Sequence, residues 1–147
     1  SGMKIVHVEG ADGGLHTNYE GKAQAAVRAL LDEGYDFAYI HVEAPDEMGH
    51  QGSVEKKVRA IEFLDQRLIR IVREAMDASG EPYRLLILPD HPTPIAARTH
   101  TADPVPYLLY DRKRPENGAE SYCERTAVQS GRWEKNGYHL IEHLFEY

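Results

Sequence analysis

Residues 84–94 read Arg-Leu-Leu-Ile-Leu-Pro-Asp-His-Pro-Thr-Pro, and this stretch decides the fold class. Its first half, Arg84 to Leu88, is a short continuous apolar run, the pattern of a strand buried on both faces of a sheet. Its second half stops the strand at Pro89, Pro92 and Pro94, which bracket Asp90 and His91. Proline fixes its own φ and restricts its predecessor, so the run predicts a stiff, irregular turn. Adjacent strand residues point to opposite faces. Asp90 and His91 therefore reach one common point only where the chain turns.

Upstream of this strand, Glu55 to Ala78 carries Val58, Ile61, Leu64, Leu68, Ile71, Val72 and Ala75 at three- and four-residue steps. That spacing predicts a long amphipathic helix, stopped by Gly80. Ser53 falls in its N-cap region, with Lys56 instead of Glu three residues on, so no capping box is expected. Asn18 to Glu33 gives a second helix through Ala23, Ala26, Val27, Leu30 and Leu31, with Gly34 as its stop. Lys4 to Val8 and Asp36 to Val42 read as strands, as does Val105 to Tyr110. Glu120 to Val128 and Tyr138 to Phe145 are weaker helical segments, and Asp111 to Gly118 is a polar loop. The order strand–helix–strand–helix–strand predicts an α/β protein, with a mainly parallel sheet flanked by helices.

Composition narrows the function classes. The 147 residues suit one domain, and the formal net charge is −7. Nucleic-acid binding needs a basic face, so this balance argues against it. It argues equally against an anionic membrane surface, and no run approaches the roughly 18 apolar residues of a membrane span. Metal ions would reconcile an acidic chain with an anionic substrate. The single cysteine, Cys123, excludes an intrachain disulfide, reads as structural, and fits a cytoplasmic location. Residues 1–3, Ser-Gly-Met, read as a cloning scar and a start, which leaves 4–147 as the domain.

Four polar clusters follow the predicted strands: Glu9–Asp12, Asp46–His50, Asp90–His91 and Thr99–Asp103. Ligand sites of parallel α/β sheets lie at the C-terminal ends of the strands. Asp46 and His50, four residues apart, converge on one ion if the segment forms a helical turn. Gly49 between them permits close backbone approach. His100, between two threonines, supplies a third donor. Carboxylate with imidazole suits zinc, manganese or iron better than calcium. Taken alone, each cluster is as readily a solvated surface group. Together, Asp46, His50, Asp90, His91 and His100 place oxygen and nitrogen donors along one rim, as a two-metal phosphoryl-transfer site requires. Elsewhere, His41 within a strand reads as a hydrogen-bonded core residue.

The stretches HVEAPDEMGHQG (41–52), LLILPDHPTP (85–94) and RTHTADPVPYLLY (98–110) resemble the archaeal-type, cofactor-independent phosphoglycerate mutases of the alkaline phosphatase superfamily. EGADGGLHTNYEGKAQAA (9–26) and KVRAIEFLDQRL (57–68) resemble the same family in the same order. The resemblance implies an alkaline-phosphatase-like metal domain, of which this chain is the C-terminal part. It implies two divalent ions, manganese or zinc. Asp46, His50 and His100 would hold the first, and Asp90 and His91 would help hold the second. It implies interconversion of 3- and 2-phosphoglycerate, in glycolysis and gluconeogenesis, through a phosphoserine intermediate. The family's serine nucleophile and a further metal-binding Asp lie in its N-terminal half. None of Ser1, Ser53, Ser79, Ser121 and Ser130 sits at that position. Asp12 falls where the family has a GATG-like turn, so it is not taken as a ligand. The expected partner is phosphoglycerate or another small phosphorylated substrate, with self-association through exposed sheet edges. A related phosphotransferase or phosphatase, such as a proposed homoserine kinase, and a non-catalytic fragment or binding module are the competing readings.

Overall fold

The computed structural model describes residues 2–145. The chain divides into two compact units. The first comprises Ser1–Glu81 with Thr93–Thr101, and the second Pro82–Pro92 with Ala102–Tyr147.

The first unit is helical. Helix α1 (Tyr19–Leu31) starts where Asn18 accepts the Gly21 N–H at 2.9 Å. It ends at Leu31 with Asp32 as its C-cap, and the chain then turns at Gly34, which takes φ +75° while the Tyr35 N–H reaches back to the Ala29 carbonyl at 3.0 Å. This is the left-handed closure that glycine adopts without cost. Helix α2 (Ala44–His50) carries Pro45 in its first turn, where a missing N–H costs nothing. The long helix predicted over 55–78 is continuous but uneven. It runs as α3 (Val54–Leu64), a π turn (Asp65–Ile69) and α4 (Arg70–Ser79), with Gly80 at φ +77° as its cap. Ser53 caps α3 by accepting the Lys56 N–H at 3.4 Å.

The π turn, in which the Arg70 N–H reaches the Asp65 carbonyl, was not legible in the apolar spacing. Its physical effect is visible at Arg67. The guanidinium donates Nε to Glu20 Oε1 at 2.6 Å and a second N–H to Oε2 at 3.0 Å. It also lies over the rings of Tyr19 and Phe63, at 5.3 and 5.0 Å from their centroids. The fork on Glu20 holds that carboxyl below the usual carboxylate range. Tyr19 is fully buried, together with Ala23 of α1 and Ala60 of α3, and Leu68, Val72 and Met76 extend this core along the long helix.

Two predicted strands of this unit do not form. Segments 4–8 and 36–42 are extended, yet neither enters a ladder among the described residues. A strand exists only where a neighbour accepts and donates along its length. Ile5 is 81 % exposed, so the apolar pattern that suggested a strand is not satisfied within this unit. His41 is half-exposed and stands 3.8 Å from Glu43, which corrects its reading as a core histidine.

In the second unit the decisive stretch does form a strand, β1 (Arg84–Ile87), but its pairing corrects the expected mainly parallel sheet. It pairs antiparallel with β2 (Leu108–Asp111), from Arg84 opposite Asp111 to Ile87 opposite Leu108. Arg84 Nε donates to Asp111 Oδ2 at 2.9 Å across the first pair, and its guanidinium also donates to the Leu144 carbonyl at 3.1 Å. Every β1 residue is only half-buried, which corrects the reading of burial on both faces. Tyr122 donates its hydroxyl to the Pro106 carbonyl at 2.9 Å, and burial pushes its pKa up to about 12. Of the C-terminal helical segments, α5 (Glu124–Gln129) is shorter than the expected 120–128, whereas the expected 138–145 is spanned by a 3₁₀ turn (Gly137–Ile141) followed by α6 (Glu142–Phe145). Among the described residues no helix is long and apolar enough to cross a membrane.

Tyr19 anchors the helical core, and replacing a buried large aromatic by alanine costs about 3–5 kcal/mol. Tyr19→Ala is expected to lower stability by that amount in urea titration. Tyr19→Phe is expected to cost only about 1 kcal/mol, for the lost bond to the Leu15 carbonyl.

Candidate metal centre

Asp46 and His50 sit one turn apart on α2, so both project from one face, as their spacing predicts. His50 Nε2 is 3.4 Å from Asp46 Oδ2. His100 arrives from the segment 93–101 and places its own Nε2 3.4 Å from Asp46 Oδ1 and 3.2 Å from His50 Nε2. All three side chains lie in the first unit, and all remain partly open to solvent.

The approach of His100 depends on a backbone feature that the sequence did not announce. The Ala97 and Arg98 N–H groups turn back onto the Pro94 carbonyl at 3.1 and 2.9 Å. Arg98 then takes φ +53°, the one positive φ outside glycine among the described residues. Such a conformation persists only where the surroundings hold it. Here the Arg98 carbonyl lies 3.0 Å from His50 Nδ1. A carbonyl only accepts, so Nδ1 carries the proton and a neutral His50 turns a bare Nε2 lone pair toward His100 and Asp46. A backbone carbonyl on the far nitrogen is the usual way a metal-binding histidine is oriented.

The donor set fits a transition-metal ion. Ligands held about 2.0–2.1 Å from a tetrahedral centre stand about 3.3–3.4 Å apart. The two imidazole nitrogens stand 3.2 Å apart, and each lies 3.4 Å from a different oxygen of Asp46, separations close to that edge length. One carboxylate and two imidazoles also have the hardness of a zinc or manganese site.

Asp90 and His91 lie just past β1 in the second unit. The Asp90 carboxylate accepts the His91 backbone N–H at 3.1 Å and stands 3.6 Å from His91 Nε2. The proline-bracketed turn thus brings both side chains to one side, as anticipated.

Sequence reading missed three residues that touch this centre. Thr93, buried within the proline run, donates its hydroxyl to Asp46 Oδ1. Lys57 of α3 donates Nζ to the Thr93 carbonyl at 2.6 Å. Arg98 supplies the carbonyl described above. Their one sequence signal was the density of prolines around Thr93, which marked a fixed backbone without saying what it fixed.

The chain belongs to the metalloenzyme superfamily, whose family model matches residues 1–136. Within that class its similarities are narrower. It is 45 % identical over 131 residues to the 2,3-bisphosphoglycerate-independent phosphoglycerate mutase of Methanosarcina mazei, covering 89 % of this chain and 32 % of that protein. It is 44 % identical over 147 residues to the probable 2,3-bisphosphoglycerate-independent phosphoglycerate mutase of Geobacter sulfurreducens, covering 99 % of this chain and 36 % of the relative. The solved structure of the PH0037 protein from Pyrococcus horikoshii matches with a TM-score of 0.80 at 28 % identity, over 97 % of this chain and 42 % of that one. The chain therefore spans about a third of the length of the curated relatives it matches.

Cys123 lies beside Thr126 and Ser121, with Sγ 3.5 Å from Thr126 Oγ1 and 3.9 Å from Ser121 Oγ. Hydrogen bonding from Thr126, then from Ser121, draws its pKa down to about 7. The thiolate is the nucleophile, so alkylation by iodoacetamide is expected to accelerate from pH 6 to 8 with a midpoint near 7. A midpoint near the ordinary thiol value would refute the local cause.

Gly49 offers a second test. Glycine in a helix is normally worth replacing, since alanine gains about 1 kcal/mol of propensity. A Cβ here, however, would stand 2.6 Å from the Thr93 carbonyl oxygen and 3.0 Å from its Cγ2. Backbone cannot yield as a flexible side chain does, so overpacking, at about 1–3 kcal/mol, wins. Gly49→Ala is expected to lower the melting temperature, whereas an unchanged or raised value would show that the contact is soft.

Proposed function

We propose that this chain is the C-terminal, metal-holding part of a phosphoglycerate mutase. In this reading Asp46, His50 and His100 hold one divalent ion and Asp90 and His91 contribute to a second, with manganese or zinc as the metal. The observation that carries it is the Asp46–His50–His100 triangle, whose separations of 3.2–3.4 Å suit one small cation. The names of the curated relatives point the same way.

The chemistry assigned to the whole protein is interconversion of 3- and 2-phosphoglycerate. A serine hydroxyl attacks phosphorus, and the 3-oxygen leaves with a proton. The 2-hydroxyl then attacks the phosphoserine and releases the serine. Bound divalent ions supply charge neutralisation at the transferred oxygens and a lowered pKa for the nucleophile. This chain's residues act as ligands and as holders of ligands. Asp46 and His50 are set by α2, the His50 tautomer is set by the Arg98 carbonyl, and none of them shuttles a proton. The serine is assigned to the part of the family that this chain does not match.

Calorimetric titration of the 147-residue chain with Mn²⁺ and with Zn²⁺ tests the reading. The unaltered chain is expected to bind, and Asp46→Asn, His50→Ala and His100→Ala are expected to weaken binding by more than the roughly 10–100-fold typical of outer-shell changes. The same chain is expected not to interconvert phosphoglycerates. Failure to bind either ion would sink the metal assignment, and turnover by the chain alone would sink the division of labour.

A further inference from the structure

Asp46 is held by a residue outside the ligand set, and that residue is held in turn by another. Thr93 donates its hydroxyl to Oδ1, the oxygen that faces His100. Thr93 is 4 % exposed, so water does not compete for this bond. Its β-branched side chain is stiff at χ1. The position of Cγ2 against Gly49, where an added Cβ would approach to 3.0 Å, leaves Oγ1 as the atom turned to the carboxylate. The Thr93 backbone is fixed in turn, because Lys57 Nζ donates to its carbonyl at 2.6 Å. A chain of contacts therefore runs from α3 through Lys57 and Thr93 to Asp46 on α2.

We infer that Thr93 and Lys57 are positioning residues for the first metal ion: Lys57 fixes the Thr93 backbone, and the Thr93 hydroxyl fixes the Asp46 carboxylate for coordination. This rests on the metal reading of Asp46, His50 and His100. A carboxylate oxygen has more than one lone-pair direction, so the bond from Thr93 orients Oδ1 and leaves it able to ligate. Without that bond the carboxylate loses one restraint on its terminal torsion, and each binding event has to supply it. Outer-shell partners of this kind are typically worth about 10–100-fold in metal affinity.

Lys57 separates positioning from simple electrostatics by sign. An ammonium near a cation site weakens binding through space, so removing it would tighten metal binding. If its work is to fix the Thr93 carbonyl, removing it weakens binding.

The experiment is Mn²⁺ and Zn²⁺ titration of the 147-residue chain and of Thr93→Val, Thr93→Ser and Lys57→Met, alongside melting of the metal-free proteins. Thr93→Val keeps the branched shape and removes the hydroxyl, so it is expected to lose about 10–100-fold in affinity. Thr93→Ser keeps the hydroxyl and is expected to recover most of it. Metal-free melting temperatures of these two variants are expected to agree within about 4 °C. Lys57→Met is expected to bind more weakly than the unaltered chain. Equal affinity for Thr93→Val and the unaltered chain would overturn the role of Thr93, as would a serine variant no better than valine. Tighter or unchanged binding by Lys57→Met would overturn the role of Lys57. No binding by the unaltered chain would overturn the metal reading and this inference with it, whereas binding that is insensitive to Thr93 overturns the inference alone.

Discussion

The close approach of the Thr93 carbonyl to Gly49, with the Lys57 ammonium 2.6 Å from the same oxygen, is the constraint on which the centre depends. A backbone carbonyl meets helix α2 at a point where any side chain would intrude. That contact puts the segment 93–101 beside α2 at all. Once the segment is there, Thr93 reaches Asp46, and the turn on Pro94 and Arg98 carries His100 back to His50. Loosening the first contact therefore moves a donor that is seven residues further along.

The energetics of this arrangement are divided. The core of the first unit is assembled from small and aromatic side chains, with Tyr19, Ala23 and Ala60 fully buried, and the Arg67 fork ties α1 to the long helix. Arg67 and Glu20 are each more than a third exposed, so solvent screens their ion pair and its worth is modest. The same guanidinium over the Tyr19 and Phe63 rings adds a cation–π attraction together with apolar contact along its stem. The metal centre contributes differently. Two imidazole nitrogens at 3.2 Å, each 3.4 Å from an oxygen of one carboxylate, form a polar cluster that is partly open to solvent.

Much of this was legible in the sequence because it depends on local rules. Ser53 in the cap region, Gly80 as a stop, and Asp46 with His50 at a helical interval come from backbone geometry that each short segment carries by itself, whereas Asn18, read as the first helical residue, is the cap of α1. The sheet was not legible to the same degree. Whether 84–87 pairs parallel or antiparallel, and whether 4–8 and 36–42 pair at all, depends on neighbours distant in sequence, and an apolar run states only that burial is wanted. The half-burial of β1 and the exposure of Ile5 show that want unsatisfied within the respective units. The π turn escaped for a related reason. One extra residue in a long helix leaves the apolar positions at three- and four-residue steps while rotating the remainder of the helix about its axis.

The centre shows the same division at finer scale. That Asp46, His50 and His100 come together could be anticipated from residue type and spacing, since carboxylates and imidazoles are the groups a metal site would use. Its supports could not, because a threonine hydroxyl, a lysine on the next helix and a carbonyl at positive φ have no chemistry that singles them out. Their meaning lies in what they touch. Thr93 is the instructive residue. Its neighbours Pro92 and Pro94 suggested rigidity, and rigidity is what a buried donor needs if it is to hold one carboxylate oxygen in one direction. The prolines deny that backbone its alternative conformations, Lys57 fixes its carbonyl, and the hydroxyl is left a single place to point.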